Sequence, residues 1–308
     1  MSGHSHAHPH PADGAGDRRR LLVVLLITAG VLVAELVGAV VSGSLALLAD
    51  AGHMLTDTAG LLIAYLATVV AGRPARGRRT WGYQRAEVLA ATLQAGVLLA
   101  VGVYVIVEGV RRLFEPPEVG STAMVIFGAV GLAGNLVAIA ILARSRHRTL
   151  TMRAAFLEVV NDALGSVAVL VAAVVIATTG WLRADALVSI LIGLLILPRT
   201  VVLLRETTDV LLESAPRGLD LEEVRRHLLR IDHVHAVHDL HASRIDSNLP
   251  VLTAHVVVDD SCFQDGHAPQ MLDQLQACLA SHFPIAVEHC TFQLEPAGHA
   301  DHERATHP

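Results

Sequence analysis

Residues 42–62 read SGSLALLADAGHMLTDTAGLL. After the turn at Ser42, Gly43 and Ser44 the stretch is apolar on every helical face, yet it carries Asp50, His53 and Asp57. A helix that is apolar all round belongs in a bilayer or a large core. Charged residues inside a span are costly, so each is a functional candidate by default. His53 and Asp57 stand i, i+4 and share one helix face.

Working outward, five more stretches reach the about 20 apolar residues a span needs. They are Leu21–Val41, Ala86–Val110, Ser121–Ala143, Ala154–Thr179 and Ala184–Leu204, which with Ser44–Ala71 predicts a membrane all-α bundle of six helices. The whole chain of 308 residues is 53% hydrophobic with a mean hydropathy of +0.51, too apolar for an ordinary soluble protein. That length allows one bundle and one small domain. The net charge of −6 gives no case for nucleic acid. All 23 basic residues are Arg, which reads as the compositional bias of a GC-rich bacterium. Cys262, Cys278 and Cys290 form no CxxC pair, so reduced thiols fit better than a disulfide framework. The polar, His-rich start is not a signal peptide.

Arginine placement sets the orientation. Arg18, Arg19 and Arg20 precede the first span; Arg73, Arg76, Arg78, Arg79 and Arg85 flank the second and third; Arg144, Arg146, Arg148 and Arg153 join the fourth and fifth. The opposite loops lack excess positive charge. Both termini are therefore expected in the cytoplasm, with the chain multi-pass in the plasma (inner) membrane and in contact with lipid. The expected division is a His-rich arm at 1–17, the spans at 18–205, a soluble domain at 206–296 and a His-containing tail at 297–308. In the soluble part, Leu219–Ile231 and Ala268–Phe283 read as helices. Ala236–Ile245, Val251–Asp259 and Val287–Glu295 read as strands, the first two joined by a turn at Ser247–Pro250. The order is α-β-β-α-β, a ferredoxin- or metallochaperone-like α+β domain, small enough to gain stability by dimerising.

The fifth span holds a second i, i+4 pair, Glu158 and Asp162. Two facing helices would bring His53, Asp57, Glu158 and Asp162 to one point, a tetrahedral His-carboxylate set that suits Zn²⁺. Asp50 is set aside as a residue of the outer mouth or a cap of its helix. Gln94 and Asn135 read as packing residues. Glu35, Glu87 and Glu108 are further polar residues in or near spans.

At these residues the chain resembles the cation diffusion facilitator family, in particular its CzcD-like zinc exporters. The matching stretches are Ser42–Leu62, RRTWGYQRAEVLAA (Arg78–Ala91), EVVNDALGSV (Glu158–Val167) and WLRADALVSILIGLLIL (Trp181–Leu197). In the soluble domain VHDLHAS (Val237–Ser243), TAHVVV (Thr253–Val258) and TFQLE (Thr291–Glu295) match. The resemblance implies a homodimeric antiporter, not an enzyme, whose transport site is His53, Asp57, Glu158 and Asp162. It also implies a metal site at His238, His255 and Glu295. Many family members have His where this chain has Glu158, and that leaves Zn²⁺ first, Cd²⁺ and Co²⁺ next, with a Mn²⁺ or Fe²⁺ preference as the alternative. The other alternative is a membrane metal sensor that does not transport. No HExxH is present for a metalloprotease. Metal ligands must be deprotonated, so protons are the expected counter-ion. The histidines at 4, 6, 8 and 10 and at 299, 302 and 307 suggest a loose metal collector.

Overall fold

A computed structural model describes residues 11–71, 76–143, 150–246, 249–287 and 289–299. Within them the side chains of 11–19, 57, 60–71, 150–152 and 154 are outside the description. The first elements are helices α1 (Pro11–Ser42), α2 (Leu45–Ala71), α3 (Arg85–Phe114), α4 (Ser121–Ala143), α5 (Leu150–Thr179) and α6 (Arg183–Leu211). Then follow α7 (Leu221–Leu228), β1 (Val234–Arg244), β2 (Pro250–Val258), α8 (Ala268–Ser281) and β3 (His289–Glu295). Contacts divide the chain into residues 1–62 with 93–202, and residues 63–92 with 203–308.

Among the described residues, α1, α3, α4, α5 and α6 are long and apolar enough to cross a bilayer. The sixth expected span, α2, has 27 residues, or about 40 Å at the helical rise, also enough to cross. Large apolar side chains on these helices point outward, among them Val40, Leu93, Val107, Leu164 and Leu195. Exposed apolar surface on that scale fits lipid rather than water. Inside, Leu45, Leu47 and Ala49 of α2 pack with Met124, Val169 and Ala173. Helices α1 and α4 approach closely because Gly38 lies against Phe127 and Gly134 against Val31.

The turn between α1 and α2 uses Gly43 at φ +69°, where a side chain would be strained. The start of α2 then shows why Asp50 is no helix cap, contrary to one reading of its position. The orphan N–H groups of that first turn go elsewhere. Ser44 Oγ accepts from Leu47 N at 3.1 Å, and Asp185 of α6 accepts from Leu45 N at 2.8 Å and Ala46 N at 3.1 Å. Asp185 also accepts from Ser44 Oγ at 2.5 Å and lies 3.7 Å from Arg112 of α3. The carboxylate is almost wholly buried. A residue far along the chain thus caps the helix that carries His53.

The second unit holds the expected α-β-β-α-β order. Helix α7 is shorter than expected. It starts at a cap, Asp220 accepting from Glu222 N at 2.9 Å, and its acidic first turn and Arg225 and Arg226 in its last turn suit the helix dipole. The sheet order is β1-β2-β3, with β1 and β2 antiparallel and β2 and β3 parallel. Val224, Leu228, Leu252, Val256, Leu275 and Leu279 form its core. The thiols of Cys262, Cys278 and Cys290 are free, and burial pushes Cys278 and Cys290 up. Residues 247 and 248 of the expected turn lie outside the described residues.

Candidate metal centres

In the helical unit, α2 and α5 bring two sequence-predicted residues together. His53 Nε2 stands 3.8 Å from Asp162 Oδ1, and Asp162 is buried. Glu158, one turn before Asp162, has Oε1 3.8 Å from Arg199 Nη2 of α6. Asp57 follows His53 by one turn, and its side chain lies outside the described residues. His53 also borders a small apolar cavity with Ala49, Leu98, Val101 and Ile196. The arrangement is a His-carboxylate contact between two helices, with a guanidinium beside the third acidic group.

Next to it lies a cluster that the spacing argument did not assemble. Glu35 and Asp50 are both essentially inaccessible (0% and 1%) and share the hydroxyl of Ser166. Ser166 Oγ is 3.4 Å from Glu35 Oε1 and 3.3 Å from Asp50 Oδ2, and Asn135 Nδ2 donates to it at 3.2 Å. Asn135 is therefore more than a packing residue. Gln94, by contrast, donates to the backbone oxygen of Thr56 at 2.5 Å, a helix-to-helix tie. The available signal was a carboxylic acid within each of the first two spans. Residues 35, 50 and 166 come from three helices, so no spacing rule joins them.

In the second unit the sheet register sets His238 opposite His255. Glu295, at the end of β3 and nearly fully buried, reaches both: Oε2 is 3.2 Å from His238 Nε2 and Oε1 is 2.7 Å from His255 Nδ1. A bulge follows His238 in β1 and puts Asp239 at φ +46°. Its carboxylate is then 3.9 Å from His238 Nδ1. His238, Asp239 and His255 can each place one ligand atom within 4.8 Å of the others. Alternation along a regular strand would have sent Asp239 to the opposite face, so the bulge hid it from the sequence reading.

The remaining histidines sit elsewhere. His289 faces Trp81 edge-on, ring centres 4.8 Å apart. His233 Nδ1 and His235 Nε2 lie 2.8 and 2.6 Å from the two oxygens of Asp259, all three exposed. The hydrogen bond to Asp259 raises His233, and those from His235 and then His233 hold Asp259 low. His267 stands near His233, ring centres 5.6 Å apart. The expected collector histidines at 4, 6, 8, 10, 302 and 307 lie outside the described residues. Of the loop arginines, Arg85 meets Glu213 at 2.8 Å, so at least one pairs with an acidic group of the same unit.

Residues 21–212 match the cation efflux transmembrane domain, and residues 216–297 match the cytoplasmic domain of cation efflux proteins. The "Metal cation efflux system protein CzcD" of Cupriavidus metallidurans is 41% identical over 97% of this chain and 92% of its own length. The "Zinc transporter ZitB" of Escherichia coli is 41% identical over 95% of this chain and 91% of its own. The "Cadmium, cobalt and zinc/H(+)-K(+) antiporter" of Bacillus subtilis is 32% identical over 96% and 94%. With both domains matched in order and the spans and sheet in place, the chain belongs to the cation efflux family of membrane transporters.

Proposed function

We propose that this protein exports a divalent cation, Zn²⁺ first among them, from the cytoplasm in exchange for protons. The transported ion binds His53, Asp57, Glu158 and Asp162. The observation that supports this reading is the 3.8 Å approach of His53 Nε2 to Asp162 Oδ1, between helices α2 and α5. A His and a carboxylate at that separation need only a small inward shift to share an ion with ligand bonds near 2 Å. Three carboxylates and a neutral His carry −3, and Arg199 beside Glu158 adds +1. The sum, −2, balances the +2 of one divalent cation.

The termini lie on the cytoplasmic side, and the chain divides at 1–17, 18–205, 206–296 and 297–308 as its composition suggests. The 206–296 part pairs two copies into a homodimer. It binds metal at His238, His255 and Glu295, with Asp239 as a fourth candidate, and that metal reports the cytoplasmic level. The carboxylate at Glu158 also favours a second reading, a preference for harder ions such as Mn²⁺. One experiment tests the scheme: uptake of Zn²⁺, Cd²⁺, Co²⁺ and Mn²⁺ into resealed everted vesicles under an imposed pH gradient, for wild type and Asp162→Ala. We expect Zn²⁺ accumulation that the substitution abolishes. Accumulation that survives Asp162→Ala would sink the site.

A further inference from the structure

The Glu35–Asp50 pair is the most unusual feature of the helical unit. Both side chains come from apolar helices, and among the described residues neither is paired with a cation. Glu35 Oε2 and Asn135 Oδ1 are buried without a hydrogen-bond partner. Ser166 offers a single O–H to two carboxyl groups, so it satisfies one at a time. Two carboxyl groups within 3.4 Å of one hydroxyl oxygen, buried with no cation beside them among the described residues, favour sharing a proton over carrying two charges. Space is reserved for them: a Cβ on Gly131 of α4 would strike Glu35 Oε1, and one on Gly165 of α5 would strike Asp50 Oδ1. Four helices thus build a buried polar pocket around two carboxyl groups, which carries two negative charges unless a proton occupies it.

From this geometry we infer that Glu35 and Asp50, held by Ser166 and Asn135, form a proton site distinct from the metal ligands and coupled to them. The inference rests on the transport site proposed above. Asp50 precedes His53 by three residues on α2, and Ser166 follows Asp162 by four on α5. Both steps are about one helical turn, roughly 5.4 Å along the axis. Among the described residues, the titratable groups next along the helices that hold the pair are Asp162 of α5 and His53 of α2; α4 carries none. A divalent ion at the ligands disfavours a proton on the pair, and the departing ion restores it. By linkage the pair's proton weakens metal binding by the same factor. On the proposed orientation the pair lies on the outer side of the ligands. Each cycle then takes one proton from outer water onto the pair as the ion leaves, and releases it when the next ion binds.

The test uses the full-length protein in detergent and in proteoliposomes, as wild type, Glu35→Gln, Asp50→Asn and Asp162→Ala. Equilibrium dialysis reads Zn²⁺ binding, a pH dye reads protons released per Zn²⁺ bound, and flux is driven by an imposed pH or K⁺ gradient. We expect Glu35→Gln and Asp50→Asn to bind Zn²⁺ within about threefold of wild type yet lose about tenfold of the flux stimulation by the pH gradient. They should also release fewer protons. Wild-type proton release and pH dependence in both variants would overturn the inference. So would loss of Zn²⁺ binding in both, which would make the pair part of the metal site. Flux that answers a K⁺ gradient and ignores pH would overturn the choice of ion. If Asp162→Ala still binds and transports, the transport-site reading fails instead, while Glu35→Gln still reports on the pair. Infrared spectra of the wild type need no variant: a buried protonated carboxyl band must be present and must change when Zn²⁺ is added, and its absence is decisive against the site.

Discussion

The two His-carboxylate clusters use the same residue types and are built to opposite ends. Between α2 and α5, His53 and Asp162 stand 3.8 Å apart, and Glu158 leans toward Arg199. In the C-terminal sheet, Glu295 already holds His238 and His255 at 3.2 and 2.7 Å. The sheet fixes the second set by strand register, and a buried glutamate orients both imidazoles. Preorganisation of that kind favours holding an ion. The first set is carried on separate helices, whose relative shift changes the separation of the ligands. Binding strong enough to capture but loose enough to release is what transport needs, as it is for ions in channels.

The largest break in this comparison is expected from exchanging the two losses. Asp162→Ala should abolish flux while leaving metal-induced thermal stabilisation of the full chain in place. Glu295→Ala should do the reverse: flux within a few fold, but a loss of the stabilisation a metal gives, about 2.7 kcal/mol at a hundred times its dissociation constant. Thermal melts with and without Zn²⁺, beside vesicle flux, read both arms. Equal loss of flux in the two variants would show that the clusters do not divide the work this way.

A middle-sized effect is expected at Asp185. It caps α2 from α6, so Asp185→Ala leaves the N–H groups of Leu45 and Ala46 without a partner inside the protein. Lost caps and orphaned buried donors each cost about 1–3 kcal/mol. The melting temperature should fall, and flux should fall more than Zn²⁺ affinity, because the helix that bears His53 loses its anchor. A melting temperature unchanged from wild type would remove Asp185 from the account.

How much of this was legible beforehand follows from range. Spans, strand order and the i, i+4 pairs depend on neighbours in sequence, and hydropathy and period report those. Asp185 capping Ser44–Ala46, Ser166 joining Glu35 to Asp50, and Arg199 beside Glu158 all depend on which helices meet. No local pattern encodes that. Asp239 was hidden for a different reason. The strand was found, but the bulge after His238 breaks the alternation from which faces were assigned.

A smaller effect should separate Glu158 from Arg199. Arg199 is 66% exposed, so its pairing is worth a discounted fraction of about 1 kcal/mol. Arg199→Ala should change Zn²⁺ affinity by no more than about fivefold. Glu158→His removes a negative charge, restores an imidazole, and should shift preference from Mn²⁺ toward Zn²⁺. Ion-resolved uptake by both variants reads this, and an unchanged ion order in Glu158→His would mean that Glu158 does not set selectivity.

The smallest effect comes from Asp259, and it asks what turns a His-carboxylate contact into a metal site. His233, Asp259 and His235 are as close as the Glu295 set, but all three are exposed. His233 is raised by its hydrogen bond to Asp259, so that pairing stabilises fully below the unfolded histidine value of about 6.5 and fades as pH climbs through the raised one. Asp259 is lowered by the two histidines, so its share is present above about 3.9 and is lost as pH falls through the lowered value. The contact therefore works best between about pH 4 and 6.5. Asp259→Asn should bring the His233 titration, followed by NMR of labelled histidines, back toward the ordinary imidazole range, with little change in Zn²⁺ binding. Titration of His233 at the same pH in both proteins would refute the pairing. A large loss of Zn²⁺ binding would mean that proximity alone makes a site. If binding stays, the burial of Glu295 is what distinguishes the proposed metal site from a solvated ion pair, because there water does not compete for the carboxylate.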